Sequence, residues 1–298
     1  MRVRQVAAVV GTAGAVWVGL NAAVTFGAAH PIGQGKVLGT ARVIRRSPEQ
    51  FGLAYKEITY APRRDAWWIT AGLERPSVVL VHGYDPFIDP KSGDPGPLLE
   101  LAAAFHSWGF NALVINLGYV TGAHPFSGGQ LEAGDVTAAA KWCHAHAGGP
   151  VALWGFSAGG SAALLAASDG APVAAVAADS AFADAGTVIV HQASKATHLP
   201  APLFRFVPYF MSMMASSGPA NLTVILPKHP ITVPVLLVQG TADTAIPPEN
   251  LDILRRLTGG TAWGVRGADH IKSYETDPND YLTRARLFLD AHLLPPNR

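Results

Sequence analysis

The sequence has one cysteine, Cys143, in 298 residues. That excludes an internal disulfide and a zinc site built on paired cysteines. Cys143 falls in a predicted helix over residues 130–147 and reads as an inert packing residue. Charge is also scarce. Only 14% of residues are Asp, Glu, Lys or Arg, the formal net charge is +1, and the two signs are interspersed. No basic patch of the kind that grips a phosphate backbone is present, so no nucleic-acid partner is expected. Internal repeats are absent, and so is low-complexity sequence beyond the N-terminal segment. What is abundant is apolar: 49% of residues are hydrophobic, which suits one large core in a chain of this length.

A long uncharged stretch runs from residue 5 to residue 29, after Arg2 and Arg4. About 20 apolar residues span a bilayer, and positive charge ahead of such a segment favours a cytoplasmic N-terminus. Residues 1–29 are therefore expected to anchor the chain in a membrane, with the remaining chain outside the cytoplasm. Cleavage after Gly27-Ala28-Ala29, which would release a secreted protein, is the alternative. The run is longer than the roughly 7–15 residues of a usual signal-peptide core. Residues 30–50 read as a linker and a first edge strand at 40–44.

From there the pattern settles. Edge strands are expected at 56–60 and 66–70, and a strand buried on both faces at 77–81, where Val78-Val79-Leu80-Val81 is continuously apolar. Helices at 97–108, 130–147, 158–167, 248–257 and 278–293 alternate with strands at 111–115, 151–154, 173–178, 235–239 and 262–265. Strict alternation implies an α/β fold with a mostly parallel central sheet flanked by helices. One connection, residues 182–234, is too long for an ordinary loop. Its run of aromatic and methionine residues from Leu203 to Met214 suits a lid-like insert or ordinary packing equally well.

The most informative residues are Gly155-Phe156-Ser157-Ala158-Gly159. They follow an apolar strand and open a helix, so the serine sits at a sharp strand-to-helix turn with glycine two residues away on either side. Such a turn lifts a hydroxyl out of the sheet beside a helix N-terminus, where negative charge is stabilised. A serine hydroxyl needs a base, and the base needs an acid to fix its tautomer. Asp243 directly follows the strand at 235–239 and is the expected acid. Asp179, after the strand at 173–178, is the runner-up. His270, just beyond the strand at 262–265, is the expected base. Of eleven histidines, only His82 and His270 sit at strand ends on this edge, and His82 reads as a structural hydrogen-bonder. The backbone N–H groups of Tyr84 and Ala158 are expected to form an oxyanion hole. Asp269 is not expected to orient the ring of its own neighbour, His270.

With these residues placed, the chain resembles the α/β-hydrolase superfamily. It looks closest to single-domain hydrolases related to serine aminopeptidases and to dienelactone-hydrolase-like esterases. The resemblance covers roughly residues 51–294. It rests on Val79-Leu80-Val81-His82-Gly83-Tyr84, Trp154-Gly155-Phe156-Ser157-Ala158-Gly159-Gly160, Ala178-Asp179-Ser180-Ala181-Phe182, Gly240-Thr241-Ala242-Asp243 with Ile246-Pro247, and Gly267 with His270. It implies a catalytic domain over residues 51–298, with the roles given above for Ser157, Asp243 and His270. Two departures stand out. Asn116-Leu117-Gly118-Tyr119-Val120-Thr121-Gly122 replaces an arginine-glycine-histidine-glycine-like turn, and Asp269 stands where a small residue is usual.

The expected activity is hydrolysis of a carboxylic ester, lipid-like or thioester substrates included, through an acyl-serine intermediate with neither metal nor organic cofactor. The expected partners are a small-molecule acyl substrate and, through residues 1–29, a membrane. An acyltransferase using the same triad is the alternative enzyme, and a membrane-tethered binding protein on the same fold is the alternative outside catalysis. The run Asp85, Asp89, Lys91 and Asp94 lacks the regular spacing of a calcium loop and reads as a surface turn.

Overall fold

The computed structural model describes residues 46–84, 97–209, 227 and 229–295. The expected anchor at 1–29, the strand at 40–44, the acidic run at 85–94 and much of the long insert lie outside them. Among the described residues, no helix is long and apolar enough to cross a membrane.

Eight strands make one sheet: β1 (Lys56–Ala61), β2 (Arg64–Ile69), β3 (Ser77–Val81), β4 (Asn111–Ile115), β5 (Val151–Phe156), β6 (Ala175–Asp179), β7 (Val235–Gly240) and β8 (Thr261–Val265). Their spatial order is β1-β2-β4-β3-β5-β6-β7-β8. β1 and β2 pair antiparallel, as does β2 with β4, and every later pairing is parallel. Burial explains the pattern. β3, β4, β5, β6 and β7 are buried at every position, whereas the edge strands β1 and β8 each have one buried position and are otherwise partly or fully exposed. Only apolar runs tolerate both faces covered, and each buried Val or Leu adds about 1.5–3 kcal/mol.

The α-helices are α1 (Leu98–Ser107), α2 (Gln130–Ala147), α3 (Ala158–Ser168), α4 (Ala185–Thr197), α5 (Glu249–Thr258), α6 (Ser273–Thr276) and α7 (Pro278–Leu293), and short 3-10 turns lie at Pro48–Phe51 and Ala201–Phe204. Val78 and Leu80, two apart on β3, join Ala152, Trp154 and Phe156 of β5 in one core with Leu98, Leu101 and Phe105 of α1 and Ala285 and Leu289 of α7. The other face of the sheet packs on α2 and α3, which also pack on each other. Cys143 is buried within α2, and burial pushes its thiol up to about 12.

Observed boundaries differ from the expected ones where turns intrude. β6 starts at Ala175, not 173, because Val173 N–H closes a turn onto the Ala171 carbonyl at 2.8 Å. The strand then takes in Asp179 as its last residue. The insert contains α4, which is capped by Asp184, whose carboxylate accepts the Gly186 N–H at 2.8 Å. The stretch from Asp184 belongs to a second compact unit, apart from the unit that holds the sheet.

The register puts the site in one place. Val81 pairs with Gly155, Phe156 with Asp179, Asp179 with Val238, and Gly240 with Val265. The C-terminal ends of β3, β5, β6, β7 and β8 are therefore adjacent along one rim, where ligands of parallel sheets bind.

Candidate active site

Ser157 joins β5 to α3 with φ 50° and ψ −122°. A non-glycine residue held there costs about 1–3 kcal/mol, and its surroundings have to enforce it. Gly155 and Gly159 do so by close approach. A Cβ on Gly155 would collide with the Gly159 carbonyl, and one on Gly159 would collide with the His82 carbonyl and lie 2.7 Å from the Val81 oxygen. The Ser157 N–H is held by the Asp179 carbonyl at 2.8 Å. Its hydroxyl is thus fixed at the N-terminal end of α3, whose dipole favours negative charge.

His270 reaches this hydroxyl from the loop after β8, with Nε2 at 3.0 Å from Ser157 Oγ. Its Nδ1 lies 2.9 Å from Asp243 Oδ2, from the loop after β7. With Nδ1–H donating to the carboxylate, Nε2 keeps a lone pair for the serine proton. The Asp243 side chain is fully buried, while the His270 side chain is 23% exposed. Four donors converge on that carboxylate. Oδ1 accepts the N–H groups of Ala245 at 2.9 Å and Ile246 at 2.8 Å, and Oδ2 accepts Gln239 Nε2 at 2.6 Å as well as His270. The structure therefore brings Ser157, His270 and Asp243 into one hydrogen-bonded line that can pass a proton.

Asp179, the other acid considered, does not reach the imidazole nitrogens by a hydrogen bond. It is buried at the end of β6 on Ser180, Ser273 and Tyr281. Asp269 also stays off the ring of His270, but it does more than occupy a turn. Its Oδ1 accepts the His270 N–H at 2.8 Å and the Thr244 N–H at 2.9 Å, tying the loop after β8 to the loop after β7. Those backbone hydrogen bonds hold its carboxyl below the usual range.

On the other side of Ser157 lies the loop after β3. A Cβ on Gly83 would be 3.1 Å from Ser157 Cβ, so this loop runs directly past the serine. His82 Nδ1 donates to the Gly83 carbonyl at 2.7 Å while its Nε2 accepts the Leu117 N–H at 3.2 Å. Tyr119 OH donates to the same Gly83 carbonyl at 3.0 Å. In a trans peptide the C=O and the next N–H point in opposite directions. Holding the Gly83 oxygen thus also fixes the direction of the Tyr84 N–H. Ala158 is the first residue of α3, and its N–H has no carbonyl within the helix to bond.

Tyr119 sits in the segment 116–122. A buried cluster holds that segment: Asp135 of α2 accepts the Gly118 N–H and His124 Nε2, both at 2.7 Å, and pairs with Arg64. Burial pushes the Asp135 carboxyl up, but the His124, Gly118 and Arg64 bonds outweigh it and leave it lowered. Tyr84, Tyr119 and Phe126 pack as an aromatic group at the loop after β3, with Tyr84 and Phe126 ring centroids 4.2 Å apart. Sequence reading did not single out Tyr119, Gln239 or Phe126. Gln239, a polar residue ending a wholly buried strand, was the one with a visible signal. Among the described residues, no group of three or more His, Cys, Asp or Glu could hold a metal ion.

No known family model matches the chain, and no curated protein matches it. Solved structures do. An esterase from Pyrococcus furiosus, Pf2001, superposes with a TM-score of 0.65 at 20% identity, over 87% of this chain and 99% of that one. The α/β hydrolase GrgF from Penicillium gives 0.57 at 18% identity, over 80% and 98% of the two chains. A lidless serine hydrolase from Xanthomonas campestris, XC6422, gives 0.53 at 17%, over 82% and 97%. Strand order, the turn at Ser157 and these superpositions agree that the chain has the α/β-hydrolase fold.

Proposed function

We propose that the protein is a serine hydrolase that cleaves carboxylic esters through an acyl-serine intermediate. The observation that carries this reading is the line Ser157 Oγ, His270 Nε2, His270 Nδ1 and Asp243 Oδ2, with contacts of 3.0 and 2.9 Å. The three side chains come from three separate strand ends, more than a hundred residues apart for the first pair.

In this reading Ser157 Oγ attacks the ester carbonyl carbon while His270 Nε2 takes the hydroxyl proton. The carbonyl oxygen becomes an oxyanion facing the N–H groups of Tyr84 and Ala158. Removing one such donor in other enzymes costs about 2.7–4 kcal/mol. The intermediate collapses as the bond to the leaving alkoxide breaks and Nε2–H returns its proton to that oxygen. Water then repeats the sequence: Nε2 takes its proton, the acyl carbon forms a bond to the hydroxide, and Ser157 leaves reprotonated. Asp243 stays ionised throughout and stabilises the imidazolium. The neighbours named above as an esterase and a serine hydrolase support the substrate class. The aromatic group at Tyr84, Tyr119 and Phe126 supports an apolar acyl moiety beside the serine.

The test is turnover of p-nitrophenyl esters of increasing acyl length. Equal release of acid and p-nitrophenol, with a burst of p-nitrophenol matching one site per chain, is expected. Products in which an added alcohol captures the acyl group in preference to water would make the protein an acyltransferase instead.

A further inference from the structure

The ester chemistry above leaves Asp179 without a task, although this residue lies buried at the end of β6, between the strand that carries the serine and the strand that carries the acid. Three hydroxyls converge on its carboxylate. Ser180 Oγ at 3.0 Å and Ser273 Oγ at 3.1 Å donate to Oδ1, and Tyr281 OH donates to Oδ2 at 3.0 Å. Trp154 Nε1, three residues before the serine, donates in turn to Tyr281 OH at 3.1 Å. Burial pushes this carboxyl up to about 6, against the pull of the three hydroxyls and of the nearby His270. Keeping an ionised group in such a place opposes folding. A purely structural role would be served as well by a neutral side chain.

The partners show where the group acts. While Ser180 Oγ donates to Asp179, it accepts the Ile271 N–H at 3.1 Å. Ile271 directly follows His270 and has φ 57°, and Ser180 has φ 55°. Both are left-handed conformations that these residue types adopt only under constraint. The main-chain carbonyl of the same Asp179 holds the Ser157 N–H at 2.8 Å. One residue therefore grips the backbone of the serine with its carbonyl and, through Ser180, the backbone beside the histidine with its carboxylate. An ionised carboxylate accepts only. It obliges the Ser180 O–H to turn toward it, which leaves the Ser180 lone pairs for Ile271. An amide or a protonated acid carries a donor of its own and lets Ser180 reverse.

We propose that Asp179 is a positioning residue of the active site, which through Ser180 sets the placement of the His270 loop relative to Ser157. The inference rests on the serine-hydrolase reading, and the experiment separates the two. Full-length wild type, Asp179→Asn, Ser180→Ala, the double variant and Tyr281→Phe are titrated with a fluorophosphonate to count competent sites. kcat and KM for p-nitrophenyl butyrate are then measured per titrated site.

Misplacing a base by about 1 Å costs about 10²-fold. Asp179→Asn and Ser180→Ala are each expected to lower kcat by about 10- to 100-fold, with KM within about threefold. The double variant is expected to be no worse than the poorer single, because the two residues act on one arm. Tyr281→Phe, which touches the network away from that arm, is expected to keep kcat within about threefold while losing thermal stability.

Wild-type kcat per site in Asp179→Asn, multiplying effects in the double variant, or an equal kcat loss in Tyr281→Phe would each overturn the proposal. If Asp179→Asn does not fold, Ser180→Ala decides alone, and a wild-type kcat there overturns it. A wild type that takes up no fluorophosphonate removes both the hydrolase reading and this one. A labelled wild type with an indifferent Asp179→Asn removes only this one.

Discussion

Asp243→Asn removes a charge and almost no volume, so its effect isolates what the carboxylate does. In the structure each oxygen of Asp243 meets two donors: Ala245 and Ile246 N–H on one side, Gln239 Nε2 and His270 Nδ1 on the other. An asparagine has one oxygen and one NH₂, so in either orientation its NH₂ faces two donors. Turned toward the backbone, the NH₂ takes away the acceptor of the buried Ile246 N–H, at about 1–3 kcal/mol. Turned toward the histidine, it forces Nδ1 to become the acceptor and Nε2 to carry the proton, and Nε2 then has no lone pair for Ser157. The second orientation keeps both backbone N–H bonds, needs only the Gln239 amide to flip, and disables the base. A loss of this kind in serine proteases is about 10⁴ in kcat, equivalent to about 5.5 kcal/mol of transition-state stabilisation. The expected outcome is a kcat lower by about 10³- to 10⁴-fold, with the thermal midpoint down by a few degrees at most. Ester turnover per folded chain, with circular dichroism as the folding control, measures both. A kcat within tenfold of wild type in the folded variant would refute the role given to Asp243.

Gly159→Ala sets a methyl against the His82 and Val81 carbonyls, which are backbone and cannot swing away. It should cost about 1–3 kcal/mol in urea unfolding and lower kcat more than it raises KM, and an unchanged urea midpoint would contradict the packing. Tyr119→Phe deletes the hydroxyl on the Gly83 carbonyl. One net hydrogen bond of about 0.5–1.5 kcal/mol predicts a kcat about 3- to 10-fold lower, and an unchanged kcat would mean that this hydroxyl does not orient the Tyr84 N–H. The Asp179 carboxyl is raised from 3.8 to about 6 in the fold, so its contribution to stability is present below pH 3.8 and is lost as pH rises through about 6. At about 1.4 kcal/mol per pH unit, that interval amounts to about 3 kcal/mol. The stability of wild type relative to Asp179→Asn should therefore fall between pH 4 and 6.5 in denaturant titrations, whereas parallel profiles would show that Asp179 is not penalised by burial.

The parts legible in sequence were those that one-dimensional physics determines. β3 and β4 have the expected limits because Val78-Val79-Leu80-Val81 and Ala112-Leu113-Val114-Ile115 are apolar at every step, as a strand covered on both faces requires. Ser157 was legible because Gly155 and Gly159 mark the close approaches of its turn. The choice between Asp179 and Asp243 was harder. Each ends or follows a buried strand, and only the strand order, with β7 beside β8, decides which carboxylate meets His270. Side chains of sequence neighbours diverge, which keeps Asp269 off the ring of His270, but its oxygen bonds backbone N–H groups, one of them 25 residues away. Tyr119 acts across two loops that are 36 positions apart, and no local pattern encodes that contact. The Asp179 network draws on β5, β6, α6 and α7 together, so it exists only once the chain is folded.

Attachment of a fluorophosphonate, located by mass spectrometry, tests the central claim most directly, since phosphonylation requires a serine whose proton is taken as the bond forms. One label per chain, mapped to Ser157 and abolished in Ser157→Ala, is the predicted result. Label carried by another residue, or taken up equally by wild type and Ser157→Ala, would contradict it.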